Sequence, residues 1–233
     1  PKLKGANYRI CHYDSPDARG VDVAFLYRAD VFKLQGSDNI KLVVDELPNF
    51  KTRDLVVMWG TIEDEPFYFL VSHWPSRLGG KERSQYARDF VAEKCKRICD
   101  SVRTNNPATK VVIMGDFNDS PEDKSVRVAL GAKPLVEPYD SNSLYNMFHQ
   151  FMKNPFFGTH KYQSQWSVLD QIIVSGSLLS SGKVTPESAF IFKAMYLLEV
   201  DSRNMNVRPK RTYNGMRYQG GFSDHLPVVL ELF

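Results

Sequence analysis

Two apolar runs of strand length, Asp54-Leu55-Val56-Val57-Met58-Trp59-Gly60-Thr61-Ile62 and Pro66-Phe67-Tyr68-Phe69-Leu70-Val71-Ser72, are separated only by Glu63-Asp64-Glu65. A connection this short joins antiparallel neighbours, because parallel strands need a crossover of about a dozen residues or more. Strict alternation of strand and helix therefore fails here, which sets a doubly wound parallel sheet behind a mixed or mainly antiparallel one. The runs are apolar on both faces near their centres, as in a sheet covered on both sides.

The rest of the chain fits that frame. Residues 21–27 read as an earlier strand. Over residues 82–106 the period changes: Ala87, Phe90, Val91, Cys95, Ile98 and Val102 recur at three and four, an apolar stripe on one helix face that Asn105-Asn106-Pro107 stops. A strand follows at residues 110–114. Ser120-Pro121-Glu122-Asp123 then offers an N-cap, a first-turn proline and acids at a helix start, so a shorter helix is expected to about Gly131. Residues 134–166 are irregular, and further strands are expected at 168–174 and 226–232. Strands interleaved with few helices suit two sheets packed face to face with helices outside.

The sequence has 233 residues and shows no repeat, low-complexity tract or linker, so a single domain over residues 1–233 is expected. At 42% hydrophobic and 24% charged residues, a wholly disordered or coiled-coil chain is excluded. A net charge of +3 permits an anionic substrate but does not demand nucleic acid. Three cysteines without CxxC spacing, two of them one helical turn apart, argue against a disulfide framework or a cysteine metal site. No run reaches the about 18 apolar residues of a membrane span, and the first residues lack the apolar core of a signal peptide. A soluble chain is expected. It opens at Pro1 without an initiator methionine, which suggests that upstream sequence is missing.

Three short segments carry chemistry. Gly115-Asp116-Phe117-Asn118-Asp119 stands where the 110–114 strand runs out, a place where sites are built, though Asp and Asn also serve ordinary turns. Gly220-Gly221-Phe222-Ser223-Asp224-His225-Leu226-Pro227 sets an acid beside an imidazole at the mouth of the last strand. In Trp166-Ser167-Val168-Leu169-Asp170-Gln171-Ile172, Asp170 interrupts an apolar strand and so needs a partner or a site.

Asp116 with Asn118, then Asp170, then Asp224 with His225, in that order and at strand ends, resembles the endonuclease/exonuclease/phosphatase superfamily, the fold of pancreatic deoxyribonuclease. The likeness extends to Arg19-Gly20-Val21-Asp22-Val23-Ala24, Thr52-Arg53-Asp54 and Ser72-His73-Trp74-Pro75-Ser76-Arg77, and so covers nearly everything from Arg19 to Phe233. It implies a four-layer α/β/β/α sandwich with two mixed, mainly antiparallel sheets. It also implies a metal-dependent phosphoric ester hydrolase using Mg²⁺, with Mn²⁺ or Ca²⁺ as alternatives. Such chemistry needs a cation and donors on the phosphoryl oxygens, an oriented water and help for the departing oxygen.

By this resemblance Asp116 orients the water, and Asn118 fixes either that aspartate or a phosphoryl oxygen. Asp170 sets the tautomer of His225, which donates to phosphate as the imidazolium. His73 is a second donor or general acid, and Asp224 is a metal ligand. Arg19 and Arg53 resemble arginines lining or supporting a substrate groove, or are solvated strand-end charges. Arg77 could reach a second phosphate or an acidic head group. Trp166 and Tyr162 wall the site or simply pack. Arg203, Arg208, Lys210, Arg211 and Arg217, with Tyr213 and Tyr218 between them, form either a track for DNA or RNA or a solvated loop.

The chain departs from the family at its start. The asparagine strand and the glutamate strand that open the superfamily domain are missing, and Asn7 does not sit in such a strand. A domain lacking its first strands, with weakened Mg²⁺ binding, is therefore expected. A nuclease is the leading reading; a phosphomonoesterase, a lipid phosphodiesterase and a non-catalytic phosphate-binding scaffold are the alternatives.

Overall fold

The computed structural model describes residues 5, 7–43, 51–77, 79–201 and 206–233. Its strands are β1 (Tyr8–Tyr13), β2 (Val23–Arg28), β3 (Lys33–Ile40), β4 (Leu55–Ile62), β5 (Glu65–His73), β6 (Lys110–Asp116), β7 (Ala132–Lys133), β8 (Leu144–Asn146), β9 (His160–Tyr162), β10 (Gln165–Ser167) and β11 (Asp170–Ser175). They continue with β12 (Ala189–Ile191), β13 (Leu198–Asp201), β14 (Asn206–Pro209), β15 (Tyr213–Asn214), β16 (Arg217–Tyr218) and β17 (Val228–Leu230). The helices are α1 (Lys81–Asn105) and the short α2 (Gly176–Ser180).

Seven strands form one mixed sheet in the order β3-β4-β5-β6-β11-β8-β7. The hairpin β4–β5 is antiparallel, as its short connection requires. Its turn is tighter than the sequence suggested, because Glu65 already belongs to β5 and only Glu63 and Asp64 lie outside the ladder. Both take positive φ, 51° and 64°, matching the twist of a two-residue hairpin. β5 and β6 pair in parallel, and α1 is the crossover that such a pairing needs.

Alternation explains why the central strands read as continuous apolar runs. Leu55, Val57, Leu70, Val111, Ile113 and Ile173 face α1, packing with Val91, Ala92, Cys95 and Cys99. Val56, Met58, Val112, Ile172 and Val174 face the other way, into a second core with Phe25, Ala189, Ile191 and Leu226. Cys11, Cys95 and Cys99 are free and buried.

The mixed α/β sandwich anticipated is present, with the seven-stranded sheet packed against a smaller second β layer. Among the described residues it consists of separate antiparallel ladders, β1–β2 and β12–β17. β2 packs over β4 and β5, whereas β17 packs over β11. Phe69, Val71 and Met114 on the face between are only partly buried. The helix anticipated after Ser120 is instead a tight turn followed by a π-helical turn, Ser125–Ala129, in which the Leu130 N–H reaches Ser125 O at 2.8 Å. Asp123 closes this turn, its carboxylate accepting from the Ser120 N–H and from Arg77 and Lys81. The final strand is shorter than anticipated because the Leu226 N–H turns to Thr159 O. The irregular stretch contains β8, a 3₁₀ turn at His149–Lys153 and the β9–β10 hairpin.

The β4–β5 turn gives a direct test. Positive φ is strained for Glu and Asp and natural for Asn-Gly. The double substitution Glu63→Asn, Asp64→Gly should stabilise the domain by about 1 kcal/mol in urea unfolding, the lost surface pair of Asp64 with Lys33 costing little. An unchanged or lower midpoint would show that the turn stores no strain.

Candidate active site

The site lies at one rim of the seven-stranded sheet and follows from register. His73, the last residue of β5, is opposite Asp116, the last residue of β6. Asp116 in turn is opposite Asp170, the first residue of β11. The three side chains thus form a row across adjacent strands. Beyond the strand ends, the Trp74 N–H donates to Asp116 O (2.9 Å) and the Phe117 N–H to Leu169 O (2.9 Å). Trp74 and Phe117 stack at 4.3 Å in the core and anchor the residues on either side. Gly115 is required next to Asp116: its φ is +142°, and a Cβ there would sit 1.8 Å from Ser72 O.

His225 reaches the row from the loop before β17. Its backbone pairs with that of His160 at the start of β9, and the two rings lie 4.5 Å apart. Thr159 organises this junction from a fully buried position. Its hydroxyl accepts from the Leu169 and Asp170 N–H groups (3.0 and 3.1 Å), and its carbonyl accepts from the Leu226 N–H (2.7 Å). Neither Thr159 nor His160 stood out in the sequence, because the three-residue strand that His160 opens, and that Thr159 precedes, lies within an irregular segment.

Asp170 Oδ2 lies 2.7 Å from His225 Nδ1. Burial opposes a charge on that ring, but the Asp170 hydrogen bond and the charges of Asp170, Asp116 and Asp224 outweigh it and hold His225 up at about 9. Burial and then repulsion from Asp170 push Asp116 up to about 6, against the pull of His225 and the Asn118 N–H. His73 goes the other way, to about 4, through burial and the neighbouring Arg53, Arg19 and His225 charges. Its 3.4 Å contact with Asp116 is therefore one of a neutral imidazole beside a carboxyl group. His160 is also held at about 4, by burial and then the charge on His225.

Asn118, at φ 50°, braces Asp116. Its N–H donates to Asp116 Oδ1 (2.8 Å), and its amide donates to Trp74 O (2.9 Å) and more loosely to Asp116 Oδ2 (3.5 Å). Of the two roles anticipated for it, fixing the aspartate matches these contacts. Arg53 is only 3% exposed: it donates to Trp74 O (2.9 Å) and to Asp17 Oδ2 (2.8 Å), so it lies beneath the site. Arg19 clasps the same Asp17 from outside. Arg77 donates to Asn118 O (2.6 Å) and pairs with Asp123 (3.1 Å), holding the loop down. Trp166 packs on Phe157 beneath Lys161, and Tyr162 is exposed. Arg208 is paired with Glu199, Arg211 is near enough to His160 to disfavour its charge, and Arg203 lies outside the described residues.

Two overlapping groups of side chains could hold a cation: Asp116, Asp170 and His225, and His160, Asp224 and His225. In each group the ligand atoms lie within 4.8 Å of one another. Asp170 keeps His225 protonated, which removes it as a ligand and leaves carboxylates. Asp224 is exposed, with no hydrogen-bond or ion-pair partner among the described residues. One or two carboxylates completed by water suit a hard divalent ion such as Mg²⁺.

The Endonuclease/Exonuclease/phosphatase family profile matches residues 1–233. The chain belongs to that family. Members hydrolyse phosphoester bonds and generally depend on a divalent metal. No curated protein matches the sequence significantly. Among solved structures, truncated Caenorhabditis elegans TDP2 is similar at TM-score 0.59 and 15% identity, over 100% of this chain and 77% of that one. D. rerio TDP2 complexed with single-strand DNA product is similar at 0.54 and 16%, over 100% and 79%. The Bacteroides thetaiotaomicron VPI-5482 mannosyl-6-phosphatase Bt3783 is similar at 0.58 and 18%, over 97% and 77%. At these identities the likeness is one of fold. No helix among the described residues is long and apolar enough to cross a membrane.

Two outcomes follow from the electrostatics. In the metal-free Asp170→Asn variant, NMR titration should show the His225 pKa falling from about 9 by more than one unit; an unmoved value would mean that Asp170 does not set its charge. Asp17 is held well below the ordinary carboxylate range, first by its hydrogen bond to Arg19 and also by Arg53, against burial. A folded pKa below the unfolded one gives stability that is present above about pH 4 and lost as the pH falls. Urea unfolding of wild type should therefore weaken on acidification below about pH 4 more steeply than that of Asp17→Asn; parallel curves would remove Asp17 from the account.

Proposed function

We propose that the chain is a metal-dependent phosphodiesterase acting on nucleic acid. The observation that carries this reading is the row His73, Asp116, Asp170 completed by the Asp170-bound His225. His225 supplies a positive donor for a non-bridging phosphoryl oxygen, while Asp170 fixes its tautomer and sustains its charge. Asp116, braced by Asn118, accepts a proton from water and aligns it for attack. His73 serves as a neutral hydrogen-bond donor to the phosphate or the departing oxygen, because its surroundings remove the charge a general acid would need. Arg53 and Arg77 act as supports that fix the loops carrying Trp74 and Asn118.

Mg²⁺ would be held by Asp224, completed by water and substrate phosphate oxygens, and would supply charge neutralisation at the phosphoryl oxygens. DNA or RNA is favoured as substrate because a fold-mate is bound to single-strand DNA product. The phosphatase fold-mate makes a phosphomonoester the main rival.

Parallel assays on supercoiled plasmid, a diester reporter and a monoester reporter, with Mg²⁺, decide between them. Plasmid nicking and diester turnover that fall by about 10²-fold or more in Asp116→Asn and Asp224→Ala are expected. Turnover of the monoester alone would move the chain to the phosphatases, and silence on all three with metal bound would favour a phosphate-binding scaffold or lipid substrate.

A further inference from the structure

Bordered by Arg53, whose guanidinium donates to Trp74 O, is a cavity of about 650 Å³, within the range of roughly 300–1,000 Å³ usual for small-ligand sites. Its wall includes Arg19, Lys51, Arg53 and Arg83 against one acid, Asp17. Asp17 is shared by Arg19 and Arg53, whereas Lys51 and Arg83 have no ion-pair partner among the described residues. The first turn of the long helix α1 borders the same space, and its N-cap Gly80 provides no side-chain cap for the turn's amides. A helix start carries partial positive charge and is hospitable to anions.

A separate observation points to a missing partner. Arg53 and Thr52, 3% and 2% exposed, each have a polar atom without any hydrogen bond, Nε and Oγ1 respectively. Buried polar atoms are normally satisfied, and both residues line this cavity. Tyr86, 46% exposed, belongs to the wall as well and offers an aromatic face to a ring. Pro75 and Ser76 connect the cavity to His73, which is close enough to Arg53 and Arg19 to feel their charge.

We propose that this cavity binds a second phosphate of the substrate, flanking the one that lies over His73, Asp116 and His225. The assignment rests on the hydrolase reading above and narrows it: the preferred substrate carries two phosphates within reach of each other. That chemistry is shared by an oligonucleotide and by a bisphosphorylated small molecule.

Steady-state kinetics of the full chain with Mg²⁺ would compare TpT with pTpT and TpTp, and a hexose 1-phosphate with the hexose 1,6-bisphosphate. The two-phosphate member should have a KM lower by about tenfold, the scale of one charge-assisted contact. In Arg83→Ala, and again in Lys51→Ala, that ratio should shrink toward one. A preference within the nucleotide set identifies a neighbouring nucleotide as the source, and one within the hexose pair identifies a bisphosphate.

Turnover without preference for either two-phosphate member would overturn the pocket while leaving the hydrolase reading intact. So would a ratio that survives both substitutions. Should no substrate turn over, the hydrolase reading falls, and calorimetric titration of pyrophosphate into the metal-free chain still judges the pocket. Binding weakened about tenfold by Arg83→Ala supports it, and binding that is absent or indifferent to the change refutes it.

Discussion

Asp119 and Arg88 form an ion pair at 2.8 Å from which water is wholly excluded, each residue being 0% exposed. Two charges taken out of water cost several kcal/mol each unless geometry and further hydrogen bonds compensate. Here Ser125 Oγ (2.6 Å) and Gln85 Nε2 (3.2 Å) also donate to the Asp119 carboxylate, Arg77 approaches it at 3.4 Å, and Gln171 Nε2 donates to its carbonyl at 2.6 Å. Residues from α1, the loop after β5, the π-helical turn and β11 thus converge on one residue next to Asn118. Such a hub can be deleted only as a whole, because loss of one partner strands the others in a dry interior. The accuracy of the rim above it depends on that rigidity.

On this base the three imidazoles near the reaction centre divide sharply. His225 stays charged because a carboxylate is bonded to it, whereas His73 and His160 stay neutral because they are buried near positive charge. One proton is thereby localised at a stated ring rather than shared among three. Neighbouring acids separate in the same manner, since Asp170 is committed to His225 while Asp116 is raised toward neutrality.

The sequence made the scaffold legible where period and length were unambiguous: the β4–β5 hairpin, the 25-residue helix α1 and the central strand β6. His73, Asp116 and Asp170 stood out because each ends or opens a strand, whereas Asn118 and His225 are brought beside them from loops. Contacts decided by tertiary packing were not. Thr159 and His160 join the site just before and at the start of a three-residue strand with no periodic signal, and Asp119 reads as an ordinary turn residue until α1 is brought against it. Arg53 looks like a groove-lining cation in sequence, yet folding buries it, since the chain needs a donor for Trp74 O and a partner for Asp17. In the second layer β2 and β17 were anticipated but their partners β1 and β12 were not, and the ladders β9–β10, β13–β14 and β15–β16, pairing over two to four residues, carry too little pattern to separate from loop.

The strand register that lines up His73, Asp116 and Asp170 also ties the chemistry to the completion of folding. Alternation places successive side chains on opposite faces, so a shift of one residue between β5 and β6 would aim Gly115 or Phe117 where Asp116 belongs. His73 and His225 are far apart along the chain, and pairings of such separation close late because loop entropy must be overcome first. A chain interrupted before β11, or before the loop bearing His225, holds acids and imidazoles that have never met. The row of acids and imidazoles is consequently assembled only when the last strands dock.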